Sequence, residues 1–216
     1  AIRLFNDLEV DEITVLDIDA SKEGKSPNLD LIKELTSEAF MPFSYGGGIS
    51  SVNDVKNILK CGVEKVILNH HMHKNIKTIK LISDEIGVSG VIAALDYRKK
   101  IGNRYFIYDH VSKKNLKINI FDYIHQMPEN GAGEIFLNCV NNDGIMKGLD
   151  IDTIKKINNI CEVPLIICGG AGTLSDLEAA QNAGANAIAA GSMFVYFGKQ
   201  KGILINYPKE STLRQY

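Results

Sequence analysis

The chain has 216 residues with a net charge of −2, 45% hydrophobic and 23% charged residues. This composition is ordinary for a globular protein and leaves no basic footprint for nucleic acid. No apolar run reaches membrane-spanning length and no secretory leader is visible, so neither a span nor export is expected, and a cytoplasmic setting is. Cys61, Cys139, Cys161 and Cys168 show no CxxC spacing, which fits reduced, buried thiols.

In chain order, apolar β-rich runs alternate with helical patterns. Ala1–Leu8 reads as the end of a helix. Strands are expected at Ile13–Ile18, Pro42–Tyr45, Lys65–Leu68, Val88–Leu95, Glu134–Val140, Pro164–Cys168 and Ala187–Ala190. Amphipathic helices are expected at Val52–Lys60, Ile76–Ile86, Thr153–Ile160 and Leu174–Ala183, with Gly62 and Gly184 as C-caps. Near-continuous apolar strands between helices indicate a parallel sheet covered by helices.

The chain also repeats itself at an offset of 122 residues. Glu12-Ile13 recurs as Glu134-Ile135, Pro42 as Pro164, Gly47-Gly48 as Gly169-Gly170, Asp54 as Asp176, and Gly62 as Gly184. Solenoid repeats run about 20–50 residues, so this unit is half a domain. Two such halves give an α/β (β/α)8 barrel of about 250 residues. Residues 1–216 are expected to form one such domain. The chain is roughly 28 residues short of two full halves, and a first strand is expected to precede Ala1. An open doubly wound sheet is the alternative.

Two glycine clusters end equivalent strands: Gly46-Gly47-Gly48 and Gly169-Gly170-Ala171-Gly172. Glycine lets backbone approach a ligand and presents consecutive N–H groups. Each cluster leads into a helix N-terminus, which predicts an anion site, most simply for phosphate. Asn69 and His70 would complete one site, and Gly191 and Ser192 the other, so the ligand would carry two anionic groups. A tight βα turn without a ligand is the competing reading.

Asp96 ends its strand, where a barrel carboxylate faces the active-site mouth, and is the candidate general acid or base. Asp17 and Asp19 end an earlier strand. Asp17 is expected to face inward, with Leu16 and Ile18 toward the helices. Asp143 and Gly144 sit in the loop after the sixth strand, and Asn138 joins the mouth. Any of the aspartates could instead be a cap or an ion-pair partner. His70, His71 and His73 form the only histidine cluster, but without carboxylate or Cys at ligand spacing no metal is expected. His110 and His125 read as structural or exposed. Glu12, Lys65 and Glu134 begin their strands and should cluster at the opposite end, as an ion-pair ring or a polar gate on an axial passage.

These residues resemble a family. The matching runs include Val10-Asp11-Glu12-Ile13, Leu16-Asp17-Ile18-Asp19-Ala20-Ser21, Tyr45-Gly46-Gly47-Gly48-Ile49, Ala94-Leu95-Asp96 and Gly131-Ala132-Gly133-Glu134-Ile135, followed by Asn142-Asp143-Gly144 and Cys168-Gly169-Gly170-Ala171-Gly172. The chain resembles the cyclase subunit of imidazole glycerol phosphate synthase, the HisF family, over essentially its whole length. The resemblance implies a glutaminase partner docked at the strand-start face. Its ammonia would pass the gate Glu12, Lys65 and Glu134. It would then attack a bisphosphate ribulosyl aminoimidazole carboxamide, giving imidazole glycerol phosphate and aminoimidazole carboxamide ribotide. Two aspartates drive the family's chemistry: Asp96 matches one, and the other would lie before Ala1. No cofactor is implied.

The departures matter. His70 stands where the family has threonine, Asn138-Cys139-Val140-Asn141 replaces Thr-Ser-Ile-Asp, and Gly191 replaces serine. The loop Ser112–Lys117 lacks expected glycines, and Ile203–Pro208 resembles the tail of a paralogue from surface-polysaccharide clusters. That paralogue works in the amidation of an N-acetyl sugar to an acetamidino sugar. A non-catalytic ammonia conduit and the pathway's isomerase are further alternatives, the latter disfavoured by the gate residues.

Overall fold

The structure, a computed structural model, describes residues 2–198, 200–209 and 212. Its elements run α1 (Ile2–Asp7), β1 (Ile13–Leu16), α2 (Ala20–Glu23), α3 (Leu29–Glu38), β2 (Phe43–Gly46), α4 (Val52–Lys60), β3 (Lys65–Leu68), α5 (His70–Lys74) and α6 (Lys77–Ile86). They continue as β4 (Val91–Lys100), β5 (Arg104–Asp109), β6 (Lys114–Leu116), α7 (Ile120–Glu129), β7 (Glu134–Cys139), α8 (Ile151–Asn158), β8 (Leu165–Cys168), α9 (Leu174–Asn182), β9 (Ala187–Ile188), α10 (Ser192–Val195), β10 (Tyr196–Phe197) and β11 (Gly202–Ile203).

The parallel strands pair in the order β1-β2-β3-β4-β7-β8-β9. This is the sheet of a (β/α)8-type barrel, with seven of its parallel strands among the described residues. No pairing joins β9 to β1 among those residues, and the strand expected ahead of Ala1 lies outside them. Two differences from the sequence reading stand out. Val88–Gly90 forms a 3-10 turn rather than strand, because Gly87 and Gly90 bracket it. β4 runs on past Leu95 to Lys100 and pairs antiparallel with β5, which pairs with β6. The segment Ser112–Lys117, read as loop, therefore contains a strand.

The repeat is visible in the capping chemistry. Ser51 caps α4 by accepting from Asp54 N–H, while the Asp54 carboxylate accepts from the Ser51 N–H. Thr173 and Asp176 do the same for α9. Each reciprocal pair satisfies donors that an α-helix leaves orphaned at its start.

Alternation along the strands divides the apolar residues into two sets. Val66, Leu68, Ala93, Leu95, Ile135, Leu137 and Ile167 face the helices, where Val55, Ile58, Ile79, Ile82, Ile124 and Ile157 bury the i, i+3 stripes of α4, α6, α7 and α8. The other face carries a small second cluster of Ile67, Ile92, Ala94 and Phe136, joined by Ile166, Cys168 and Ala189. The first set is the core that holds helices to sheet; the second lines the barrel interior.

Replacing either helix cap tests this layout. Ser51→Ala and Thr173→Ala should each cost about 1 kcal/mol in urea denaturation. The double variant should lose about the sum of the two, since the caps share no partner. A negligible loss at one site would contradict the equivalence of the two halves.

Candidate active site

At the strand starts, Lys65 Nζ lies 2.8 Å from Glu134 Oε1 and 3.7 Å from Glu12 Oε2. Ser44 Oγ donates to Glu12 Oε1 at 2.6 Å and is fully buried. Parallel register builds this layer: Ser44 stands opposite both Thr14 and Lys65, and Ile92 opposite Glu134. Burial lowers the Lys65 ammonium's proton affinity, but the bond to Glu134 and the charge of Glu12 more than offset it, so the net shift is upward. The three charges expected at this end thus meet. Ser44 was not legible beforehand, because only pairing register brings an uncharged strand residue to the ring.

Beyond this ring lies the inner apolar cluster, and beyond that the strand ends. Asp96 there accepts from Asn69 Nδ2 at 2.7 Å on one carboxylate oxygen and from Asn138 Nδ2 at 2.8 Å on the other. His110 Nε2 lies 3.7 Å from Asp96 Oδ1, and that interaction raises the imidazole's pKa. Asn138 Oδ1 is buried without a partner and lies against Gly169. A Cβ on Gly169 would stand 2.7 Å from that oxygen, and its φ of 92° is open only to glycine without strain.

The hairpin beyond β4 brings two residues that the sequence reading did not place here. Asp109 ends β5 and is 5% exposed. Its carboxylate pairs with His70 Nδ1 at 2.8 Å and accepts the Val111 and Ser112 N–H groups. Burial pushes this carboxyl up, but the hydrogen bonds from Ser112 and His70 outweigh it and hold it at about 2. Next in the chain, His110 packs edge-on to Tyr108, and the Arg98 guanidinium lies 3.5 Å from the centre of that ring. His110 was read as structural or exposed; it is exposed, and its Nε2 also lies near Asp96. A composition-level signal for either residue did not exist, since the hairpin that carries them was not recognised.

His70, His71 and His73 diverge. His70 meets Asp109, His71 lines the cavity, and His73 Nδ1 meets the Tyr123 hydroxyl at 3.2 Å. Burial lowers His73 to about 4 and lowers His71 as well. Among the described residues no group of three His, Cys, Asp or Glu is placed to hold a metal.

One cavity of about 1190 Å³ runs from Glu12 to the mouth. Its wall includes Gly47, Gly48, Asn69, His70, Asp96, Asn138, Asp143 and Gly191. Lys65, Glu134, Gly144, Gly169, Gly170 and Ser192 are not part of that wall. Lys65 and Glu134 are joined to it through Glu12, Gly169 through Asn138, and Ser192 begins α10 directly after Gly191.

Two expectations need correction. Asp17 does not face inward: Leu16 pairs in register with Gly46 and approaches it beside Ile67 of the inner cluster, while Ile13 and Val15 pack on the helix-side core. The Asp17 carboxylate instead accepts the Asp19 and Ala20 N–H groups at the rim. The N-termini of α4 and α9 are also not free for an anion. Asp54 takes the Ser50 and Ser51 N–H groups, and Asp176 takes those of Gly172 and Thr173. No side chain caps α5 or α10 at the turns Asn69–His70 and Gly191–Ser192.

The curled parallel sheet, with a carboxylate at the strand ends and a charged ring at the strand starts, is that of a (β/α)8-type barrel with two chemically distinct ends. Comparison with known proteins gives the family: the profile described as Histidine biosynthesis protein matches residues 1–201. The chain belongs to this family, as a HisF-like member. It is 44% identical over 210 residues to a Leptospira interrogans protein provisionally named imidazole glycerol phosphate synthase subunit HisF, covering 96% of this chain and 83% of that one. A Pseudomonas aeruginosa protein provisionally named as subunit hisF2 is 39% identical over 214 residues, 99% of this chain and 85% of its own. The Petrotoga mobilis imidazole glycerol phosphate synthase subunit HisF is 38% identical over 188 residues, 87% and 75%. No helix among the described residues is long and apolar enough to cross a membrane.

The Asp109 environment has a pH signature. Its folded value of about 2 lies below the ordinary value near 3.9, so its stabilisation is full above about pH 4 and is lost as pH falls toward 2. The expected contribution is roughly 2 kcal/mol. Urea denaturation of wild type and Asp109→Asn between pH 2 and 6 should show the stability gap closing on acidification. A gap independent of pH would refute this origin.

Proposed function

We propose that this protein is the synthase subunit of a glutamine-dependent amidotransferase, using ammonia supplied by a HisH-type glutaminase. The observation that carries this reading is the succession of the Glu12–Lys65–Glu134 ring, an apolar inner cluster and Asp96 from strand starts to strand ends. The glutaminase docks at the strand-start face, and Lys65 with its two carboxylates gates the inlet. Neutral ammonia crosses an interior of Ile67, Ile92, Ala94 and Phe136, whereas ammonium and other ions would pay the cost of desolvation. At the mouth ammonia attacks the electrophilic carbon of a phosphorylated substrate. Asp96, oriented by Asn69 and Asn138, takes the proton released by the new nitrogen substituent and returns it to a departing oxygen. The glycine loops Gly47-Gly48 and Gly169-Gly170, with Asn69, His70, Asp143, Gly144, Gly191 and Ser192, bind the substrate's polar ends.

The family name points to histidine biosynthesis, in which the bisphosphate ribulosyl aminoimidazole carboxamide would yield imidazole glycerol phosphate and aminoimidazole carboxamide ribotide. A second reading is ammonia supply for amidation of an N-acetyl sugar in surface-polysaccharide synthesis. The pairing of His70 with buried Asp109, where the resemblance expects threonine, favours it.

The test is turnover of the histidine-pathway bisphosphate with ammonium salt. Asp96→Asn should lower the rate by about 100-fold or more. Lys65→Met should spare ammonium-driven turnover and impair glutamine-driven turnover with the glutaminase present. Turnover that Asp96→Asn leaves unchanged would exclude Asp96 as the acid–base group. Equal loss in both assays for Lys65→Met would exclude the gate.

A further inference from the structure

The hairpin lobe beyond β4 is charged unlike the rest of the chain. Residues 98–117 hold seven of the 24 Lys and Arg but only one of the 26 Asp and Glu. That one, Asp109, is buried against His70, so it does not offset the cations at the surface. Of the seven cations, Lys99 alone forms an ion pair among the described residues, with Asp150 at 2.9 Å. A surface that only has to stay soluble mixes both signs. One sign gathered beside a cavity raises the local concentration of ligands of the opposite sign.

Register puts part of this charge in a row. Arg98 stands opposite Phe106 across β4 and β5, and directly opposed residues share a face. Alternation then gives the hairpin two unlike faces. On one, Tyr97 and Ile107 are buried and Lys99 reaches Asp150 at the start of α8. The other carries Asp96, Arg98 and Lys100 of β4 against His110, Tyr108 and Phe106. Three rungs result. His110 Nε2 lies 3.7 Å from Asp96 Oδ1, the Arg98 guanidinium 3.5 Å from the Tyr108 ring centre, and Lys100 Nζ 5.2 Å from that of Phe106. Asp96 and His110 also line the cavity, so the row begins in the mouth and runs out of it. At about 3.4 Å per strand residue, Arg98 stands roughly 7 Å and Lys100 roughly 14 Å beyond Asp96. A guanidinium stacked on a ring keeps its planar N–H fork for phosphate oxygens, which it can hold by two parallel bonds.

We propose that this face of the hairpin binds phosphate groups outside the mouth, with Arg98 as the principal contact and Lys100 as the next. The ligand is then an elongated one, whose diphosphate lies along the hairpin while its reacting end reaches Asp96. The proposal rests on the mouth being a substrate site and adds an anion position that neither glycine loop supplies. The row leads into a cavity rather than across a flat surface, which favours a small molecule over an acidic protein.

Inorganic pyrophosphate, titrated against the full chain and followed by backbone amide and Arg98 Nε–H resonances, decides the point. Arg98, Lys100 and Tyr108 should shift together and saturate. Arg98→Gln should weaken binding at least about tenfold, the scale of a lost charge-assisted contact. Lys100→Gln, at an exposed position, should weaken it about threefold and decides the point if Arg98→Gln loosens the hairpin. Lys33→Gln removes the same charge from α3, outside the lobe, and should leave the affinity unchanged. Equal weakening by all three variants would mean that net charge alone acts, and overturns the proposal. Shifts confined to residues 46–50 and 169–173 overturn it and leave the mouth as a substrate site. No shift anywhere overturns it as well, and leaves the mouth to its own turnover test.

Discussion

Everything in this molecule depends on the register of its parallel strands. Because neighbouring strands pair without offset along β1-β2-β3-β4-β7-β8-β9, every second side chain points inward at a matched height. Layers follow from that alone. Ser44 stands beside Lys65 and Ile92 beside Glu134 near the strand starts, Ala94 beside Phe136 midway, and Asp96 beside Asn138 at the ends. A slip of one residue in β3 or β7 would turn its ring residue toward the helices and expose an apolar side chain to the ring. The energetic pressure against such a slip comes from the outer core, where fully buried residues such as Val66, Leu95 and Ile135 would be displaced together.

Much of this was legible in the sequence because it obeys strict periods. The offset of 122 residues located the two glycine loops and the paired helices, and the position of Glu12, Lys65 and Glu134 at strand starts brought them together. Helix α4 was read to its true limits because Ser51 and Asp54 spell its cap. The failures have a common physical source. Asp17 was assigned by assuming that apolar Leu16 and Ile18 seek the helices, yet a barrel interior is itself apolar at mid-height and accepts Leu16. Asp109 and His110 escaped because they sit on a hairpin that breaks the βα rhythm, and nothing in a linear pattern says that β4 continues through Lys100 and turns back. Ser44 escaped because its role exists only across a strand pair.

The hairpin also makes the two rims of the duplicated framework unlike. The duplicated framework supplies like backbone loops at Gly47 and Gly169, and the β5–β6 lobe bonds to α5 of the first half through Asp109 and His70. Asp109 pins that lobe to α5 through His70 and to its own turn through Val111 and Ser112. His110 is thereby carried to Asp96. A single anchored carboxylate thus fixes the lobe that carries His110 to the strand-end aspartate.

The polarity of the barrel, with its partner at the charged ring and its chemistry at Asp96, is the central claim. Amide hydrogen exchange of the full chain with and without a HisH-type glutaminase tests it directly. Protection confined to the strand starts around 9–13, 62–65 and 131–134, with the loops at 46–50 and 169–173 unchanged, is the predicted result. Protection centred on the Asp96 mouth, with the strand starts unaffected, would contradict it.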